Sequence, residues 1–257
     1  MRHPYSFRAF SLLACLLLPG ALWSQTAETI VRQTLEAHGR ALVTDIMAIG
    51  STTTSLGVTE PVTLYAKGLD AIRIETGSAT SSKVFVIKGR QGSAGAEGND
   101  KALNPDGQRY RPVEFPFLDL LAEVDHPNVV LTYLGRTTLG GRPVHHVAVH
   151  LTDPKAAERF LRRAHEERVE YFIDVEHLLV LRSVRLRQSE QSMDLRLPLT
   201  ADYGDYRRVQ NVAVPFRVVQ TLGGGTRTFQ VTIEYSTVSI NPNTSDSMFV
   251  PRIGGRP

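Results

Sequence analysis

Two runs of alternating residues near the C-terminus constrain the fold of this 257-residue chain more than any other stretch. Val212, Val214, Phe216 and Val218 point one way, and Ala213, Pro215 and Arg217 the other. After Gly223-Gly224-Gly225 the pattern resumes, with Phe229, Val231, Ile233 and Tyr235 opposite Gln230, Thr232 and Glu234. Alternate side chains of a strand lie on opposite faces, so the pair predicts a hairpin with one apolar and one wet face. An extended antiparallel sheet must therefore carry whatever this chain does.

The first 24 residues have a different character. Arg2 and Arg8 precede an apolar run from Ala9 to Leu18, followed by Pro19-Gly20-Ala21-Leu22-Trp23-Ser24. A basic start, a run of about ten apolar residues and a small residue at the break read as a secretory signal, too short for a span of roughly 20 residues. Cleavage is expected after Ser24, leaving residues 25–257 as a single domain. Leu12-Leu13-Ala14-Cys15 weakly matches a lipoprotein signal, but Cys15 lies inside the apolar run, so a lipid anchor there is the lesser alternative. Cys15 is the only cysteine, so the mature chain has neither disulfide nor thiolate chemistry. Loss of Arg2 and Arg8 takes the formal charge from +3 to +1. A near-neutral chain lacks the electrostatic footprint of a nucleic-acid binder, and no nucleic-acid partner is expected.

Residues 26–43 have helical spacing through Ile30, Leu35, Leu42 and Val43. Strands are predicted at 45–56, 61–67, 70–76 and 83–89, then a long Gly- and Asn-containing loop over 91–109 and a short helix over 116–124. Further strands follow at 128–135 and 143–151, around Gly140-Gly141, and a charged helix is predicted at 155–168. The last strands fall near 169–174, 178–188, 191–199, 206–220 and 227–239. About eleven strands with two or three helices predict a mainly β, α+β domain: an antiparallel sheet under helical cover.

Catalytic and metal signatures are weak. His145, His146 and His150 share a strand, but His146 and His150 lie ~13 Å apart along it, so surface polar positions are expected and no metal site. His165-Glu166-Glu167 lacks the second histidine of a helical zinc motif. No G-x-S-x-G elbow occurs, and Gly223–Gly225 and Gly92–Gly98 read as turn and loop rather than phosphate cradles. No catalytic residue and no cofactor is expected. The basic residues of 155–168, with Arg182, Arg185 and Arg187, read as a solvated face interleaved with glutamates.

Several phrases resemble the LolA superfamily with its LolB-like and RseB-like relatives. They are Leu134-Gly135-Arg136 with Leu139–Val144, Tyr171-Phe172-Ile173-Asp174 with Leu179–Arg182, and Asp205-Tyr206-Arg207 with Val214-Pro215-Phe216, Ile233, Asn241, Phe249 and Pro251. The resemblance covers most of the mature chain and implies an incomplete β-barrel curved around a hydrophobic cavity, lidded by helices. The chain departs from the carriers in its helix at 155–168, and in Lys67-Gly68-Leu69-Asp70 where they have a Lys/Arg-Pro-Asn phrase.

The resemblance implies a periplasmic, non-enzymatic carrier for lipids or lipoprotein acyl chains. The alternatives are an envelope-sensing module of the RseB-like type that meets a membrane protein, and a hydrolase whose site assembles only in the fold. The apolar faces read either as filled core or as cavity wall, since burial favours both alike. Under the cavity reading the lining candidates are Leu195, Leu197, Val214, Phe216, Val231 and Ile233.

Overall fold

The first and last strands of the chain lie side by side in the middle of the sheet. The computed structural model describes residues 26–77, 82–89, 91–96, 99–103, 113–152, 167–189, 192–224 and 227–251. The first six strands are β1 (Asp45–Thr54), β2 (Thr59–Lys67), β3 (Ala71–Thr76), β4 (Lys83–Lys88), β5 (Gln91–Ala96) and β6 (Asn99–Leu103). They meander away from β1 in one direction. The other seven are β7 (Val129–Leu139), β8 (Arg142–Leu151), β9 (Glu167–Asp174), β10 (Val180–Ser189), β11 (Ser192–Val209), β12 (Val212–Gly224) and β13 (Arg227–Ile240). They run back to lie beside β1, so the order is β6-β5-β4-β3-β2-β1-β13-β12-β11-β10-β9-β8-β7, antiparallel throughout. Its edges, β6 and β7, do not pair, which leaves the sheet a curved half-barrel as expected.

Several boundaries differ from those expected. The 91–109 stretch is not a plain loop: Gln91–Ala96 and Asn99–Leu103 pair as a hairpin, because small residues still offer a backbone ladder. β11 runs unbroken from Ser192 to Val209, and the turn falls at Gln210-Asn211, not before 206. Both turn residues have positive φ, 48° and 68°, the requirement of a tight two-residue hairpin that matches strand twist. The helix expected at 155–168 lies largely outside the described residues, though Glu167 and Arg168 already belong to β9.

Helix α1 (Ala27–His38) is capped by Thr26, whose hydroxyl accepts from the Thr29 N–H, and stopped by Gly39 at φ 74°. It ends earlier than 43, and a 3-10 turn follows at Arg40–Leu42. Its buried stripe is Ala27, Ile30, Val31, Thr34 and His38, while Leu42 is exposed. The Gly39 junction sits so close to the β11–β12 turn that a Cβ would lie 2.8 Å from the Asn211 carbonyl. The second face of β12 is also dry, with Ala213 and Pro215 buried where a wet face was expected.

On β13 the period slips at Ser236: Tyr235 pairs with Gly50 and Thr237 with Ile49. Tyr235, Val238 and Ile240 can thereby all be buried, which strict alternation would forbid. Asn241 then closes the central seam. Its Oδ1 accepts from the Thr44 N–H at 2.8 Å, its Nδ2 donates to the Leu42 carbonyl, and Asp45 Oδ2 accepts from the Thr244 N–H at 2.7 Å.

Candidate ligand site

Residues 113–124, which precede the edge strand β7, lie across the inner face of the sheet. Pro116 and Asp119 break its apolar run into two 3-10 turns, Pro116–Leu118 and Leu120–Glu123, in place of the one helix expected over 116–124. Phe115, Phe117, Leu118, Leu120 and Leu121 are all fully buried and belong to one apolar cluster with the sheet and α1. Phe115 stacks on Tyr235 with centroids 5.8 Å apart, and Phe117 packs on the His38 ring at 5.2 Å.

Polar groups tie this strap to four strands. Asp119 is fully buried; its Oδ2 accepts from the Tyr171 hydroxyl of β9 at 2.8 Å and pairs with the Arg185 guanidinium of β10. The Tyr203 hydroxyl of β11 donates to the Val113 carbonyl at 2.7 Å and accepts from Ser183 at 2.9 Å. Gln220 of β12 donates to Glu114 Oε1 at 3.0 Å. Burial pushes the carboxyl of Glu114 up, so it holds its proton more tightly than an exposed glutamate, and burial likewise pushes up the Tyr171, Tyr203 and Tyr235 phenols.

His38 anchors the strap's other side. Its Nε2 accepts from the Val180 N–H at 3.3 Å, so Nδ1 carries the proton and donates to the Ala213 carbonyl at 3.0 Å. Burial drives its pKa down to about 4, which keeps the ring neutral.

Against this geometry, Val214, Phe216 and Ile233 come together in the buried cluster, with Val231 packed against it. Arg207 covers Phe216, its guanidinium carbon 4.2 Å from the ring centroid. Leu197 is half-buried; Leu195 has a strand position in β11, and its side chain lies outside the described residues. The strap residues and their polar partners were missed in the sequence reading. Asp119, alone within an apolar run, was the signal that could have found them, because a buried charge demands partners.

Other expectations change. His145 is not a surface position: it is 1% exposed, its Nδ1 3.2 Å from the Tyr133 hydroxyl, because its side of β8 also carries the core residues Val147 and Val149. His146 lies on the other side, bonded to Glu170 at 2.9 Å and stacked on Phe172. Arg185 is not part of a solvated face, since it reaches inward to Asp119. Among the described residues no group of three or more His, Cys, Asp or Glu could hold a metal ion, and the buried serine Ser183 meets a tyrosine rather than a histidine.

One end of the sheet is apolar at its surface. Leu186 faces Pro198, Leu199 faces Leu222, Leu222 faces Phe229, and the β1–β2 turn adjoins them through the Ser55 N–H bonded to the Gln230 carbonyl. Leu56, Val58 and Phe229 are exposed there, Leu56 by 82%, while Leu186 is exposed on the opposite face of the sheet.

The chain is an unclosed antiparallel half-barrel with a strap against its inner face. No family model matches the sequence, and no curated protein does. Three solved structures share the architecture. A LolA superfamily protein from Nitrosomonas europaea is 12% identical over 88% of this chain and 97% of its own, with a TM-score of 0.54. A putative outer membrane lipoprotein-sorting protein domain from Vibrio parahaemolyticus is 12% identical over 85% and 97%, with a TM-score of 0.55. A DUF1329 family protein from Desulfovibrio piger is 10% identical over 88% and 98%, with a TM-score of 0.57. This chain shares its fold with these three structures.

Proposed function

We propose that this protein is a periplasmic, non-enzymatic carrier that holds a lipid or lipoprotein acyl chain against the inner wall of its half-barrel. Residues 1–24 act as a cleaved leader and 25–257 as one binding domain. One observation carries the reading: the wall around Val214, Phe216 and Ile233 is covered by a short strap of 3-10 turns rather than by long helices. Two short turns carry few hydrogen bonds of their own, and Asp119 latches the strap to β9 and β10.

The energetics suit a reversible exchange. Seating an acyl chain of about 16 carbons gains ~0.8 kcal/mol per methylene, or ~12 kcal/mol. The five buried side chains of the strap are each worth ~1.5–3 kcal/mol, so displacing them costs ~7–15 kcal/mol. A guest that replaces the strap is thus held without being trapped. The apolar end at Leu56, Val58 and Phe229 is the entry by which a chain reaches the wall.

The test is organic extraction of the purified protein and mass spectrometry, alongside uptake of the apolar fluorophore N-phenyl-1-naphthylamine. Co-purified acyl lipid and saturable uptake are expected. Finding neither refutes the carrier reading.

A second reading, docking of a segment of an envelope membrane protein, is favoured by β7. That strand is an edge of the sheet and exposes Val130, Tyr133 and Leu134, a place where an extended segment could add as a strand. A photo-crosslinker at Tyr133 that captures one membrane protein, in lipid-loaded and lipid-free protein alike, favours it over the carrier.

A further inference from the structure

Burying a polar atom without a partner is costly, so each such atom in a native interior needs a reason. Two of them meet at the root of the strap. Glu114 is 7% exposed, and its Oε1 accepts from Gln220, while its Oε2 has no hydrogen-bond partner. The hydroxyl of Tyr235, on β13, is buried and equally unpaired. The two are neighbours. Phe115, adjacent to Glu114 in the chain, stacks on the Tyr235 ring, and the charge of Glu114 adds to burial in pushing the Tyr235 phenol up. Around them the wall is apolar: Phe115, Phe216, Val218 and Ile233 belong to the same cluster as Tyr235. Val218 and Ile233 face each other across β12 and β13, the two strands that also bear Gln220 and Tyr235.

We propose that Glu114 Oε2 and the Tyr235 hydroxyl form a polar anchor for the uncharged oxygen group of a lipid guest, an ester carbonyl or glycerol hydroxyl beside its acyl chain. The inference rests on the carrier reading and adds the class of lipid. A phenol can donate to an ester carbonyl, and a carboxyl oxygen can accept from a glycerol hydroxyl. Phosphate or free carboxylate would have to shed its hydration beside a carboxyl group, whereas a glyceryl ester would not. The oxygens are unsatisfied in the unloaded protein because their partner arrives with the guest.

The test measures displacement of N-phenyl-1-naphthylamine by three 18-carbon probes at pH 8: monoolein, 1-octadecene and oleate. The wild-type protein is expected to prefer monoolein over both others. Tyr235→Phe removes an oxygen that holds nothing in the unloaded protein, so its melting temperature should equal or exceed that of the wild type. It should bind octadecene unchanged and monoolein about tenfold more weakly, the effect of a lost hydrogen bond in a dry site. Glu114→Ala should lose the same preference, with retained octadecene binding showing the wall intact. If the atoms merely hold a trapped water, both variants keep the wild-type ratio of monoolein to octadecene, and the anchor is refuted. Oleate binding as tight as monoolein refutes the uncharged class. Failure of all three probes to bind the wild type overturns the carrier reading and the anchor with it, whereas chain binding without preference overturns the anchor alone.

Discussion

His38 offers a test whose size can be worked out from the geometry. The ring is fully buried between the Val180 N–H and the Ala213 carbonyl, and it must be neutral to accept from the first while donating to the second. Its pKa falls from 6.5 in the unfolded chain to about 4 in the folded one, with burial as the main cause. The unfolded state therefore binds more protons between these values, and stability from this group, complete above pH 6.5, is lost as pH falls toward 4. The slope is ~1.4 kcal/mol per pH unit, so between pH 7.5 and 4.5 the contribution shrinks by ~2.5 kcal/mol.

The perturbation is His38→Gln, which removes the titration while leaving a polar side chain of similar reach. At pH 7.5 the variant is less stable by ~1–3 kcal/mol, because a buried backbone group is left poorly paired. Urea unfolding followed by far-ultraviolet circular dichroism, at constant ionic strength across pH 4.5–7.5, gives wild type and variant at each pH. Subtracting one from the other cancels carboxylates that titrate in both. The difference should fall by ~2.5 kcal/mol across the range and reach zero or change sign near pH 4.5. A difference that stays constant with pH refutes the assignment of a neutral, doubly bonded imidazole.

Glu114 should show the opposite sign. Its carboxyl is raised from 4.5 by burial, so its favourable state is present at low pH and lost as pH climbs through the folded value; Glu114→Gln should gain on the wild type in urea melts as pH rises. Phe117→Ala removes a fully buried ring from the strap and should cost ~3–5 kcal/mol in urea unfolding, while the space it leaves strengthens uptake of N-phenyl-1-naphthylamine. Gly50→Ala places a Cβ 2.0 Å from the Glu234 carbonyl oxygen, backbone against backbone at the β1–β13 slip. It should cost ~3 kcal/mol or more, read as lost soluble yield or a depressed melting temperature.

The sheet was legible because its strands carry period-two patterns that burial enforces, and the resemblance in Asp174, Asn241 and Phe249 rests on local physics. Asp174 Oδ1 accepts from the Glu176 and His177 N–H groups and so makes the turn after β9, Asn241 ties the chain's two central strands, and Phe249 is buried. Where period failed, another rule had won. β5 is too rich in small residues to show alternation, β6 opens on Asn99-Asp100-Lys101 with no apolar position to mark a face, and β12 is buried on both sides.

The strap was harder to read for a different reason. Residues 115–121 satisfy a helical period as well as any amphipathic helix, and nothing local says which surface they cover. The decisive residue is Asp119. A carboxylate between Leu118 and Leu120 either turns outward, which exposes the leucines, or goes in with them and requires a cation and a donor already waiting there. Arg185 and Tyr171 meet that requirement from two different strands, 66 and 52 residues away in the chain. The partner of a buried charge is thus a tertiary fact, and so is the site it helps to close. The same argument applies to Glu114 Oε2 and the Tyr235 hydroxyl, which have no partner among the described residues and are the atoms proposed to meet a guest.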